Sequence, residues 1–138
     1  MSVTERNQDL RMALELVRVH IPKNLKDDGL CKDMCAVIAI NLKRVVEDTE
    51  KSAKAWDKRA YHTKADELRN EMAWAFRAAQ VAEALAYTPK PFDKADLARL
   101  VEIIPPDAAE MTERPRFKDV NALRGAAAAA RNTVLKKK

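Results

Sequence analysis

Glycine is almost missing from this sequence: Gly29 and Gly125 are the only two in 138 residues. A sheet protein of that length reverses direction many times and uses glycine in its tight turns, so all-β and most α/β folds are disfavoured. The same scarcity rules out a glycine-rich phosphate-cradling loop, and with it P-loop and dinucleotide-fold enzymes. Cysteine is scarce too. Cys31 and Cys35 stand four apart, a spacing that gives poor disulfide geometry on a helix, and a secreted framework would use more of them. Long apolar runs are absent near the middle of the chain, where the longest uncharged stretch is the nine residues Met34 to Leu42, far short of the roughly 20 that span a bilayer. The first residues, MSVTERNQDLRMALEL, mix charges into their apolar positions and carry no signal-peptide core. A cytoplasmic protein without membrane association is the expectation.

What remains is helical in pattern. Hydrophobic residues make up 47% and charged residues 34%, which argues against disorder for most of the chain, and the length suits one domain. A first helix is expected over Thr4–Val19, with Leu10, Ala13, Leu14 and Val17 at helical spacing and Pro22 as its stop. A second begins near Leu30 with Asp28 as its N-cap, and Leu30, Met34, Val37, Ile38, Asn41 and Val45 trace an unusually broad apolar face. Asn41 inside that face reads as a buried amide. Neither glycine nor proline occurs from Leu30 to Thr88, 59 residues, too many for one ordinary helix. The turn is expected near Tyr61–Thr63, followed by a third helix over Lys64–Tyr87 with Leu68, Met72, Ala75, Phe76, Ala79 and Ala82 inward. Asp93 caps a fourth, in which Leu97, Leu100, Val101 and Ile104 form a stripe ended by Pro105 and Pro106. Asp119 caps a fifth with little to bury, a helix that folds well only against a partner. The expected fold is all-α: an antiparallel four-helix bundle over residues 1–104, a Pro-containing linker over 105–118, and a basic C-terminal helical appendage with its tail over 119–138.

Charge sharpens that division. The net +5 is uneven: Arg114, Arg116, Lys118, Arg124, Arg131, Lys136, Lys137 and Lys138 face a single acid, Asp119, in the last 25 residues, a net of +7. The preceding 113 residues hold 18 basic and 20 acidic groups. A local excess of that size suits phosphate backbones. A second candidate patch lies where Lys54, Lys58 and Arg59 interleave with Trp56, Tyr61 and His62, since bases stack on aromatic rings while cations neutralise phosphates. Trp56 and Trp74 can equally well be core residues.

Catalytic constellations do not assemble from the sequence. A di-iron bundle needs Glu three residues before His, but Val17 and Arg59 stand before His20 and His62. The spacing of Cys31 and Cys35 is that of neither a zinc finger nor a ribbon, and both read as small buried hydrophobes. Glu47 and Glu50 form an E-x-x-E pattern of the kind that holds magnesium in helical nucleotide pyrophosphohydrolases, with Glu67 and Glu71 as the second acidic pair. Asn70 stands where that pair would need Asp, and Lys51 and Lys54 follow one turn after Glu47 and Glu50, so a solvated charged face is the plainer reading.

The stretch IPKNLKDDGLCKDMCAVIAINLKR, with Ile21-Pro22-Lys23 ending the first helix, Gly29-Leu30 opening an apolar second helix, and Leu68-Arg69 later on a long third helix, resembles a family of small basic four-helix bundles. That family includes the 23S ribosomal RNA intervening-sequence proteins and the accessory proteins of diversity-generating retroelement reverse transcriptases. The resemblance covers about half of the 138 residues and implies a homopentameric barrel that binds RNA, or an RNA–reverse transcriptase assembly, through basic surface residues. In organisation alone the chain is also similar to the small helical subunits of RNA-guided CRISPR effector complexes. The expected function is a non-enzymatic subunit that binds nucleic acid, RNA in preference to DNA, without a cofactor and with protein partners or further copies of itself. The competing readings are the magnesium-dependent hydrolase and a protein-interaction adaptor.

Overall fold

A computed structural model describes residues 3–106 and 116–132 of the chain, and all regular structure among them is helical. Helix α1 covers Val3–Glu15; a π-helical turn over Leu16–His20 joins it to the single turn α2, Ile21–Lys23. Then come α3, Asp28–Lys58, and α4, His62–Tyr87, followed by α5, Lys94–Ile103. After residue 115 a 3-10 turn, Val120–Leu123, precedes α6, Ala126–Asn132.

The first helix does not stop where its proline suggested. Pro22 has no N–H to return to the preceding turn, and the chain accommodates it by widening: the Ile21 N–H bonds the Leu16 carbonyl, one residue further back than in an α-helix. Pro22 then sits at the start of the last turn, where a missing donor costs little. The Asn24 side chain donates to the His20 carbonyl at 2.8 Å and closes this end.

Helix α3 is the centre of the protein. Its cap is Asp27, one residue earlier than expected, accepting from the Leu30 N–H at 3.1 Å. Leu30, Cys31, Met34, Cys35, Ala36, Ile38, Ala39, Leu42 and Val45 are all buried, so α3 is covered on several sides. α1 lies along one of them, tied by a buried Arg6–Asp48 ion pair of 3.0 Å and by Asp9 facing Arg44. α4 doubles back along another, its alanines Ala75, Ala78, Ala79 and Ala82 letting the two backbones approach. Lys43 pairs with Glu83 across this seam, and Lys32 donates to the Thr88 carbonyl at 2.8 Å. Phe76, expected inward, is 55% exposed, because the alanine edge of α4 faces α3 and the ring falls outside it. Val101 of α5 also points outward, while Leu100 and Ile104 are buried. The Asp93 cap is present as expected, in a reciprocal capping box with Asp96.

The C-terminal segment is docked on this body. The fifth helix expected from Asp119 onward is instead a 3-10 turn, a break at Gly125 with φ +90°, and the short α6. Three acids of the body hold it. Glu15, itself buried, accepts from the Arg116 and Phe117 amides at 2.7 and 2.8 Å, and its Oε2 lies 2.7 Å from His20 Nε2. Asp27 pairs with Arg124 at 2.7 Å. Asp33 accepts from the Gly125 and Ala127 amides at 2.9 and 3.0 Å, which caps α6 from across the fold. Tyr87 donates to the Ala127 carbonyl at 2.8 Å, and Ala130 is buried.

The turn between α3 and α4 is made without glycine, and Ala60 takes a left-handed conformation with φ 63°. An L side chain is strained there, so Ala60→Gly should raise the unfolding free energy by about 1 kcal/mol in a denaturant titration. Burial pushes the Glu15 carboxyl up, but the Arg116 and Phe117 amides and the His20 ring outweigh it and hold the group below its usual range. A lowered folded-state pKa adds stability that is complete at neutral pH and lost as acid carries the solution down through the folded value. Acidification should therefore cut the hydrogen-exchange protection of the Arg116 and Phe117 amides before that of α3. Glu15→Gln should do the same at neutral pH, with about 1–3 kcal/mol lost.

Candidate nucleic-acid interface

The tip of the α3–α4 hairpin gathers cations and aromatic rings. Tyr61 is 53% exposed and stands edge-on to Trp56, with ring centroids 5.7 Å apart and planes at 80°. Trp56 is half-buried and lies outside the hydrophobic core, whereas Trp74, further along α4, leans on the core. Lys64 places its ammonium 4.8 Å from the Trp56 ring and 6.0 Å from that of Tyr61, a cation–π arrangement over both. Lys54, Lys58 and Arg59 are all exposed around these rings.

The acids of this region are drawn away by one residue. Arg69 grips Glu50 with two bonds of 3.1 and 3.2 Å, reaches Asp57 at 2.9 Å, and approaches Asp66 at 3.5 Å. Asp57 also meets His62 Nδ1 at 2.8 Å. Hydrogen bonds from Arg69 hold the Glu50 carboxyl below its usual range, and His62 followed by Arg69 does so for Asp57. The carboxylates that dilute the sequence's positive charge are thus occupied on one flank. Among the described residues Lys58 and Arg59 form no ion pair with a carboxylate, and Lys54 feels only the longer-range pull of Glu50. Arg69 is itself spent on this task, which the i, i+3 spacing to Asp66 hints at and the long-range bonds to Glu50 and Asp57 complete.

The C-terminal candidates divide into three. Arg116 and Lys118 are exposed, although the Arg116 amide is bound by Glu15. Arg124 is engaged by Asp27 and Asn121, and the Arg131 guanidinium lies 5.2 Å from the Tyr87 ring centroid. Arg114, Lys136, Lys137 and Lys138 fall outside the described residues. The two candidate patches do not merge: the segment around Arg124 sits at the N-terminal end of α3 and Lys58 at the other.

The acidic quartet does not come together as a metal-binding group. Glu50 is held by Arg69, Glu47, Glu67 and Glu71 are exposed, and no three His, Cys, Asp or Glu side chains converge among the described residues. Cys31 and Cys35 are buried free thiols. Cys31 donates to the Asn24 carbonyl at 3.2 Å, and burial pushes its pKa up to about 11; burial pushes Cys35 higher still. Both are therefore unreactive packing residues. No helix among the described residues is long and apolar enough to cross a membrane. Comparison with family models, curated proteins and solved structures found no match to this chain.

Because Arg69 is the leading cause of the low Glu50 pKa, Arg69→Met should raise the titration midpoint of Glu50, and that of Asp57 as well. Carboxyl carbon shifts followed by NMR across the acid range would check it; unmoved midpoints would show that Arg69 does not organise these acids.

Proposed function

We propose that the protein is a non-enzymatic helical subunit that binds nucleic acid, RNA in preference to DNA, through its phosphate backbone and unpaired bases, as part of a larger cytoplasmic assembly. The carrying observation is the hairpin tip, where an exposed Tyr61 ring stands among Lys54, Lys58, Arg59 and Lys64 while Arg69 occupies the neighbouring acids. An exposed ring among unpaired cations suits one unstacked base and the phosphates on either side of it. Arg116 and Lys118 supply a further cationic surface near the other end of α3, with Arg114, Arg131 and the terminal lysines as its remaining candidates. Asp33 and Lys58 are 25 residues apart on one helix, about 37 Å at 1.5 Å per residue. A ligand that touches both surfaces therefore reaches across at least that distance.

The pairings of α1 with α3 and of α3 with α4 support, for this subunit, the arrangement of an antiparallel four-helix bundle. The resemblance to the intervening-sequence and retroelement accessory proteins is consistent with this reading, as is a place beside a CRISPR effector.

Fluorescence anisotropy with a labelled single-stranded RNA tests the proposal. Tyr61→Ala should weaken binding by about 5–100-fold if one base stacks there, and Lys54→Glu with Lys58→Glu should flatten the salt dependence by about two counterions. Arg116→Glu with Lys118→Glu tests the second surface without removing a segment that also covers the core. Affinity unchanged in all three variants would overturn the proposal and favour an adaptor that binds an acidic protein.

A further inference from the structure

We propose that the cleft between α4 and α5 is a binding site for a nucleoside phosphate. It is an open cleft of about 560 Å³, the size of a small-ligand site. Its walls follow from helical spacing: Trp74, Arg77 and Val81 succeed one another on one face of α4, and Arg99, Glu102 and Ile103 occupy one face of α5. Trp74, Val81 and Ile103 give the cleft an apolar, partly aromatic wall, each of them half-buried against the core. Arg77 and Arg99 are exposed at it, and neither forms an ion pair with a carboxylate among the described residues.

Each part of the lining has a counterpart in one chemical class. Two guanidinium groups at one cleft favour an anionic ligand, and a phosphate accepts the forked N–H bonds that arginine offers. A flat base covers the indole and aliphatic wall. Glu102, the one acid of the lining, accepts hydrogen bonds from ribose hydroxyls or an exocyclic amine. The cleft shares no residue with the hairpin tip, so its occupancy does not depend on the tip binding RNA.

Trp56→Phe leaves Trp74 as the sole tryptophan of the 138 residues, and its emission reports on the cleft. Adenosine 5′-monophosphate should quench it saturably below the millimolar range. Adenosine and inorganic phosphate should each bind about tenfold more weakly or worse, because each offers only half of the recognised chemistry. Arg77→Ala and Arg99→Ala, both at exposed positions and checked for folding by circular dichroism, should each weaken the nucleotide by about tenfold. A short RNA oligonucleotide separates the two sources of this chemistry. Saturation by the mononucleotide identifies a free ligand, and saturation by the oligonucleotide alone, lost in Arg77→Ala, identifies a nucleotide of a strand; both support the proposal. No saturable quenching by either, binding indifferent to both arginines, or inorganic phosphate binding as tightly as the nucleotide would overturn it.

Discussion

The first half of α3 is apolar on nearly every side and can exist in water only if something covers each of them, and that requirement shapes the whole protein. Thirteen of the 31 residues of α3 are buried, from Leu30 at one end to Ala53 at the other. Burying a leucine or isoleucine is worth about 1.5–3 kcal/mol relative to leaving it exposed, so each uncovered turn of α3 would be costly. α1 and α4 cover two flanks along its length, and α6 with the preceding 3-10 turn covers the N-terminal part that they leave open. The C-terminal segment is in this sense a third wall, and its contribution to structure comes before any contribution to binding.

The charge asymmetry of the sequence acquires a structural meaning from that arrangement. The slightly acidic body and the strongly basic end are matched to each other: Glu15, Asp27 and Asp33 all face the returning chain. Two of the three spend their carboxylates on backbone amides rather than on side-chain cations, so the match is one of caps and hydrogen bonds as well as ion pairs. Arg124 is neutralised in the process, while Arg116 and Lys118 keep their side chains in solvent. At the far end of α3 the same economy works through Arg69, which gathers acids locally and leaves lysines outward. At both ends of α3 it is the bonding of the carboxylates that decides which lysines and arginines are left without an ion-pair partner among the described residues.

Much of this was readable in advance, for reasons that can be named. The absence of glycine and proline between Leu30 and Thr88 forced a hairpin of two long helices, and its turn lies within a few residues of the expected place because charged residues there have no core to enter. Asp93 was legible as a cap because its partner is three residues away. Features that failed were those fixed by long-range geometry. Phe76 reads as a core residue on spacing alone, yet the alanine edge of α4 won the contact with α3. The π-helical turn before Pro22 has no local signature beyond the proline itself. The capping of α6 by Asp33 joins residues more than ninety positions apart. Of the candidate site, the cations of the tip were legible; the diversion of their neighbouring acids to Arg69 was not, since Glu50 and Arg69 meet only once the hairpin has closed.

The close seam between α3 and α4 rests on Ala75, Ala78, Ala79 and Ala82, side chains of a single methyl group. A larger residue at any of them would have to wedge the helices apart or abandon its rotamer, at a typical cost of 1–3 kcal/mol. The least negotiable positions of this protein are therefore among its smallest and chemically plainest. The outer faces of the two helices carry no such limit of volume, so what the hairpin tolerates is decided on its inside, by space before chemistry.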